Sequence, residues 1–246
     1  MPDDADQGRA VALDLARSLA LLGMAIFHFV FDLVIFGYIP VEVVREGFWP
    51  LWARVVASSF LFLSGFGLWL AHRNGIRWDR WARRWGRIVA AALLVTGATY
   101  LALGQAFVFW GILHMIAFGA VVGLFFLRLP ALLTAMVAAA VFWIGWTAAL
   151  PAFDAGVWLW TGLGAAPIPA VDYVPVFPWL SPILFGIAAG RLATASGLWD
   201  RIRRVRVPQG HWADRLAWPG RHSLLVYLVH QPVLMGILYA VTMAVR

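Results

Sequence analysis

Four ionisable residues lie in one apolar stretch near the N-terminus, where they could carry out acid–base chemistry. Asp14, Arg17, His28 and Asp32 are embedded in DLARSLALLGMAIFHFVFD. On a helix that turns about 100° per residue, the other three project within about 40° of the direction of His28. A charge inside a bilayer is costly and is retained where it faces protein or a water-filled cavity. The polar stripe therefore predicts a buried functional site along the first helix.

His28 and Asp32 are one helical turn apart, a spacing that suits proton transfer. A carboxylate can fix the tautomer of an imidazole and stabilise its protonated form, while the other ring nitrogen takes a proton from a hydroxyl or an amine. We therefore predict that His28 is a general base supported by Asp32. The structural alternative is a buried polar pair that fixes helix packing. Asp14 and Arg17, three residues apart, could likewise form an ion pair.

The composition indicates that these residues belong to an integral membrane protein. Of the 246 residues, 63% are hydrophobic, whereas a soluble domain rarely exceeds about half. We expect residues 1–246 to form a single transmembrane domain. All nineteen basic residues are arginines, and they flank apolar segments, so the positive charge indicates membrane orientation rather than nucleic-acid binding. The absence of cysteine excludes thiol catalysis and disulfides.

The pattern of apolar segments predicts an all-α bundle of about seven transmembrane helices. The connections after the second, fourth and sixth spans carry most of the arginines, and an arginine excess marks cytoplasmic loops, so the N-terminus should be cytoplasmic and the C-terminus outside. The acidic N-terminal segment lacks the basic region of a signal peptide, and we expect it to remain attached. The predicted spans are about 16–38, 51–71, 88–103, 106–127, 131–150, 175–192 and 223–245, and the arginines after the sixth are Arg201, Arg203, Arg204, Arg206 and Arg215.

Several motifs resemble those of known membrane enzymes. Three motifs resemble the signatures of the acyltransferase family three. They are Arg17 followed after ten residues by His28, then Ser64-Gly65-Phe66, and then two Arg-x-x-Arg runs. The chain is more similar still to a compact bacterial group related to the catalytic domain of heparan-α-glucosaminide N-acetyltransferase. One departure is Ser18, where the family usually has glycine. The segments that carry this resemblance are LDLARSLALLGMAIFHFVFDL, WGILHMIAF, DYVPVFPWL and GRHSLLVYLVHQPVL.

The resemblance implies acyl transfer, most simply of an acetyl group, from cytoplasmic acetyl-CoA to an acceptor at the membrane or outside. It also implies residence in the bacterial cytoplasmic (inner) membrane. The predicted CoA-binding residues are Arg17, Arg84 and Arg87, whose guanidinium groups suit phosphates, together with Ser64. The alternative for the segment between the second and third spans, in which arginine alternates with tryptophan, is anchoring to anionic lipid.

Five further residues are candidates for binding the acceptor, and each has a structural alternative. An imidazole in a span is costly without a partner, whereas Asp172 could cap a helix and Tyr227 could link two helices. No spacing of histidine and carboxylate predicts a metal site. The candidates are His114, Asp172, Tyr173, Tyr227 and His230.

Two other functional classes remain open from the residues alone. The buried charges would also suit a proton relay in a transporter or a lipid-handling protein, although no paired internal repeat is visible. A structural partner in an envelope-assembly complex is a third interpretation. The acceptor, whether a sugar, a lipid or another small molecule, stays undetermined, as does a homo-oligomeric state.

Overall fold

The computed structural model describes residues 4–204 and 211–245, with side chains for 11–202 and 212–245. The regular structure of this part of the chain is entirely helical, as predicted. Arg206 lies outside the described residues, and so do the side chains of Arg203 and Arg204. The α-helices are α1 (Asp4–Ile35), α2 (Glu42–Arg45), α3 (Phe48–His72), α4 (Trp78–Leu103), α5 (Ile112–Phe126), α6 (Ala131–Thr147), α7 (Val176–Ala195), α8 (Leu198–Arg204), α9 (His211–Arg221) and α10 (Ser223–Val245).

Seven of these helices coincide with the predicted apolar spans, but they differ in length. In the described chain, α1, α3, α4, α7 and α10 are long and apolar enough to cross a membrane. Helices α5 and α6 have 15 and 17 residues, which correspond to about 22 and 26 Å. A hydrocarbon core is about 30 Å thick. The structure therefore shows five long candidate spans and two shorter apolar helices.

Helix α4 begins well before the span expected from residue 88. The arginine- and tryptophan-rich segment, predicted as a connection, forms the first turns of this helix from Trp78. Trp81 and Trp85 stack at 5.7 Å, and their indole N–H groups donate to the carbonyls of Ala120 and Ala117 on α5. These tryptophans hold α4 against α5, which explains why the segment is ordered as helix.

The described chain forms two compact units, one of Met1–Phe60 with Asp200–Arg246 and one of Leu61–Trp199. In the first unit, α1 packs against α9 and α10. Asp14 and Asp32 of α1 are buried, so this part of the predicted polar stripe does face protein. Another face of α1 is exposed and apolar, and it comprises Leu19, Leu22, Ile26 and Phe29.

The second unit contains the C-terminal half of α3 together with α4 to α7. Gly65 and Gly186 allow α3 and α7 to cross closely, because a Cβ atom on Gly65 would overlap the carbonyl of Ile183 and one on Gly186 would overlap that of Phe62. The glycine of the Ser64-Gly65-Phe66 motif is therefore required for packing. The fully buried side chains around this crossing are Leu61, Met115, Ile183, Leu184 and Ile187.

Candidate functional site

A hydrogen-bonded chain in the first unit joins His28 to Asp32. The Nδ1 atom of His28 lies 2.6 Å from Oε1 of Gln231, and Nε2 of Gln231 donates to Oδ1 of Asp32, also at 2.6 Å. Helix α1 supplies the histidine and the aspartate, and α10 supplies the amide. The two predicted residues are thus brought into one arrangement, although the carboxylate reaches the imidazole through Gln231 rather than directly.

The chemistry of this chain fixes the position of the proton on His28. An ionised carboxylate only accepts hydrogen bonds, so the NH₂ group of Gln231 faces Asp32 and its carbonyl oxygen faces His28. Since that oxygen also only accepts, Nδ1 of His28 carries a proton, and in the neutral ring the lone pair is on Nε2. His28 is therefore in the form that can act as a base at Nε2.

His230 lies beside His28, with ring centroids 4.9 Å apart and planes at 77°. Its Nδ1 donates to the carbonyl of Tyr227 at 2.6 Å, and the ring of Tyr227 is 5.7 Å away. Among the described residues, Nε2 of His230 and Oδ2 of Asp32 are buried without a hydrogen-bond partner. Two unfilled acceptors in one cluster leave the site able to take hydrogen bonds from a ligand.

Arg17 lies in a network of ion pairs on α1 and α9. It contacts Asp14 at 3.0 Å, which confirms the predicted ion pair. Asp14 lies 3.6 Å from Arg221, and Arg221 pairs with Asp214 at 2.8 Å. The backbone N–H of Gly220 also donates to the hydroxyl of Ser18 at 2.8 Å. This end of α1 is bound to α9 by opposite charges, whereas a contact between Arg17 and CoA stays a prediction.

A basic cleft in the second unit contains two of the four predicted CoA-binding residues. Ser64 and Arg84 line it together with Arg77 and Arg80, and its cavity volume is about 90 Å³. None of the described residues that line this cleft is acidic. Arg87 is not among them, and its Nε donates to the carbonyl of Arg83 instead. The remaining polar and aromatic lining is His72, Trp81 and Trp85.

His114 and Asp172 meet at the N-terminus of α5. The N–H of Ile112 donates to Oδ2 of Asp172 at 3.2 Å, and the N–H of Gly111 donates to Nδ1 of His114 at 3.2 Å. Since Nδ1 accepts, Nε2 carries the proton of the neutral ring and donates to the hydroxyl of Thr96, 3.3 Å away. Asp172 therefore caps a helix, but this helix is α5, 60 residues earlier in the chain, and not the sixth predicted span that Asp172 precedes.

Burial changes the acidity of the two polar residues in the loop before α7. It raises the pKa of Asp172 from its ordinary 3.8 to about 6, against the smaller lowering effect of the Ile112 N–H bond. Burial also raises the pKa of Tyr173 to about 12, so its phenol is neutral and donates to the carbonyl of Leu159 at 2.6 Å. The ring of Tyr173 stacks on Phe109 at 5.6 Å. Both residues thus organise the loop, and their role toward an acceptor stays a prediction.

Two site residues were missed from the sequence. Gln231 is not among the residues predicted from the sequence, although a glutamine in an apolar span is costly enough to indicate a buried partner. Arg77 was assigned to a connection, and nothing in its local sequence separates it from the surrounding arginines. Its position in the cleft depends on the turn after α3, where its backbone N–H donates to Nδ1 of His72 at 3.3 Å.

Comparison with known proteins gives one family. Residues 9–232 match the family model described as heparan-alpha-glucosaminide N-acetyltransferase, catalytic. The match includes the whole chain from Arg17 to Gln231, and therefore both the His28 cluster and the basic cleft. No curated protein and no solved structure matches this chain.

Proposed function

Because this chain belongs to the heparan-alpha-glucosaminide N-acetyltransferase catalytic family, we propose that it transfers an acetyl group to an amine or hydroxyl acceptor at the membrane, with His28 as general base. The family is one of membrane acetyltransferases that use acetyl-CoA. The family match and the apolar helices support the enzyme class and the membrane setting. The acceptor, the direct transfer step and the residue roles are our proposal.

The reaction requires a proton acceptor next to the nucleophile. The nitrogen or oxygen of the acceptor attacks the thioester carbonyl, a C–N or C–O bond forms, and the C–S bond breaks. The acceptor's proton passes to Nε2 of His28, and the CoA thiolate leaves and is protonated to the free thiol. A positioned base of this kind contributes roughly 10²–10⁴-fold to a rate.

The observation that supports this role best is the hydrogen-bonded chain from Asp32 through Gln231 to His28. Gln231 holds the ring through Nδ1, so the lone pair of the neutral His28 ring is on Nε2. His230 is proposed to bind the acceptor beside His28, because its buried Nε2 has no partner among the described residues and can accept an N–H or O–H. Tyr227, whose ring packs on His230, completes this group.

We assign the phosphates of CoA to the basic cleft. Its three guanidinium groups, on Arg77, Arg80 and Arg84, can each donate several hydrogen bonds to a phosphate. Ser64 lines the same cleft, and its hydroxyl proton is given to the carbonyl of Leu61 at 2.7 Å, so its oxygen is the part that can accept from a ligand.

The proposed topology has seven spans, with the N-terminus in the cytoplasm of a bacterium and the C-terminus outside. It is supported by the arginine-rich connections after α3 and α7 and by the single Arg128 between α5 and α6. The two shorter apolar helices then count as spans, since a short hydrophobic stretch is accommodated by local thinning of the bilayer.

The enzyme reading is tested by acetyl-CoA turnover in detergent, with glucosamine as the acceptor. Released CoA thiol can be followed directly with a thiol reagent, because the protein contains no cysteine. His28→Gln should reduce kcat by at least about 100-fold. Tyr38→Phe, which loses a hydrogen bond between the turn after α1 and α10, should retain the kcat of the unmodified protein. Unchanged turnover in His28→Gln would remove His28 from the role of base.

Binding of the donor is measured separately, as thermal stabilisation of the protein by CoA. Arg84→Gln should weaken binding by roughly tenfold, since a charge-assisted phosphate contact contributes about 1.5–3 kcal/mol. Arg128→Gln, an exposed arginine outside the cleft, is the matched control. Equal binding by the two variants would contradict the assignment of the cleft, and no binding or turnover by the unmodified protein would overturn the proposed function.

A further inference from the structure

We infer that Gln231 is a positioning residue for His28, and that its amide, held by Asp32, keeps His28 in the tautomer whose Nε2 accepts the acceptor's proton. This inference rests on the proposed function. Gln231 does not need to touch either substrate, because it acts through the imidazole. It gives the amide on α10 a defined part in a reaction whose base is on α1.

The first support is the directionality of the amide. A glutamine side chain has a donor end and an acceptor end, and here each end meets the group that can use it. Its donor lies 2.6 Å from Asp32 Oδ1, and its acceptor lies 2.6 Å from His28 Nδ1. Rotation of the amide by 180° would place two acceptors against each other at Asp32, so the buried carboxylate fixes the orientation and the amide fixes the histidine tautomer.

The second support is that the bridge restrains the ring and not merely the helices. Asp32 is fully buried, and only one of its two oxygens has a partner among the described residues. A packing link exists elsewhere between α10 and the turn that follows α1, where Tyr38 and Thr242 share a hydrogen bond of 2.9 Å. The bond from Gln231 to His28 differs from that link, because it fixes one imidazole nitrogen as a donor as well as holding the chain together.

The helix ladder is interrupted next to Gln231. Pro232 follows directly and has no N–H, so α10 lacks one hydrogen bond of its ladder at this turn. The carbonyl of Tyr227, one turn before Gln231, accepts from His230. His230 is thereby anchored to its own helix, next to the residue that contacts His28.

An amide in this position also has an electrostatic consequence. A carboxylate in direct contact with His28 would strongly favour the imidazolium ion and retain the transferred proton. The amide group of Gln231 lies between the Asp32 carboxylate and the ring, so the charge does not contact the imidazole directly. The titratable ring that lies directly beside His28 from α10 is His230, and the described structure places no second carboxylate against His28.

The test uses two substitutions of Gln231 in the full-length protein. Gln231→Met keeps the volume and removes both hydrogen bonds, so kcat should fall by roughly 10–100-fold, a part of the contribution of the base, with the KM for acetyl-CoA unchanged. Gln231→Glu keeps an acceptor at Nδ1 and brings a negative charge closer to the ring, because its second oxygen meets Asp32 and the two carboxyls share one proton. It should retain more activity than Gln231→Met, and the acid limb of its pH–rate profile should move to higher pH by about one unit or more.

Tyr38→Phe is the matched control, because it removes a hydrogen bond between the turn after α1 and α10 without touching the His28 cluster. It should retain both kcat and the pH profile. If Gln231→Met does not fold, the pH profile of Gln231→Glu decides the question alone. A wild-type pH profile in Gln231→Glu, or wild-type kcat in Gln231→Met, would overturn the inference.

The same measurements separate this inference from the proposed function. If the unmodified protein is active and His28→Gln is not, the proposed function stands whatever the Gln231 variants do. If neither Gln231 variant then differs from the unmodified protein, only the positioning role is lost. Absence of turnover that depends on His28 would overturn both.

Discussion

Asp172→Asn should stabilise the protein at neutral pH, although it replaces a residue that caps a helix. Asp172 is half-buried, its carboxyl accepts the N–H of Ile112 at the N-terminus of α5, and burial raises its pKa from 3.8 to about 6. The folded protein therefore binds this proton more tightly than the unfolded chain does. Consequently the free energy of unfolding falls as the pH rises from about 4 to about 6, and above that range the loss is complete at roughly 3 kcal/mol.

Asparagine removes this cost without removing the cap. It has nearly the same volume, carries no charge and keeps a carbonyl oxygen that can accept the N–H of Ile112. The gain over the unmodified protein should approach 3 kcal/mol at pH 7.5 and shrink to about 1 kcal/mol at pH 4.5. For a chain of this length, the larger value corresponds to a rise in Tm of roughly 6–12 °C.

The assay is thermal unfolding in detergent at pH 7.5 and pH 4.5, followed by tryptophan fluorescence. Asp172→Ala is the control, because it removes charge and cap together and leaves the N–H of Ile112 without its partner, which costs about 0.5–2 kcal/mol relative to asparagine. A difference in Tm between Asp172→Asn and the unmodified protein that is the same at both pH values would refute the reasoning. A selective rise in the KM for the acceptor would instead support a role of Asp172 in acceptor binding.

Further predictions concern packing and topology. Gly65→Ala should destabilise the protein by roughly 1–3 kcal/mol or more in the same unfolding assay, because its Cβ would meet the carbonyl of Ile183; Gly86→Ala, in open space on α4, should stabilise it by about 0.5–1 kcal/mol. In cells, single cysteines placed by Ala155→Cys and Arg128→Cys should differ in labelling by an impermeant maleimide. The first should react from outside and the second only after permeabilisation, and early labelling at position 128 would contradict the seven-span topology.

The helical spans were predictable because their signal is local. A run of apolar residues must be helical in hydrocarbon, since every backbone polar group has to be satisfied within the segment. The bounds of α10, residues 223–245, were predicted correctly. The start of α5 was not, because the sequence near residue 106 is as apolar as the helix itself. Its first turn is set by Asp172, 60 residues away.

Only the part of the site that lies on a single helix could be predicted from the sequence. The periodicity of α1 placed His28 and Asp32 on one face, and burial of Asp32 agrees with that. The group that joins them is 203 residues from His28 in the chain, and no spacing rule relates two helices so far apart. The distribution of arginines between cleft and surface was likewise decided by helix packing, which brings Arg84 to the cleft and leaves Arg87 outside it.

The two polar ends of α1 differ in a way that separates structure from chemistry. Around Asp14, both carboxylate oxygens meet guanidinium groups. Around His28, acceptors on Asp32 and His230 remain unfilled among the described residues. An unfilled buried acceptor costs about 1–3 kcal/mol, a cost that packing alone does not explain. Arg221→Met should therefore lower Tm with kcat retained. The loss in the free energy of unfolding should be no more than about 1 kcal/mol, because the ion pair is partly exposed. His28→Gln should instead lower kcat with Tm retained. The reverse pattern would show that the chemistry lies at the charged end.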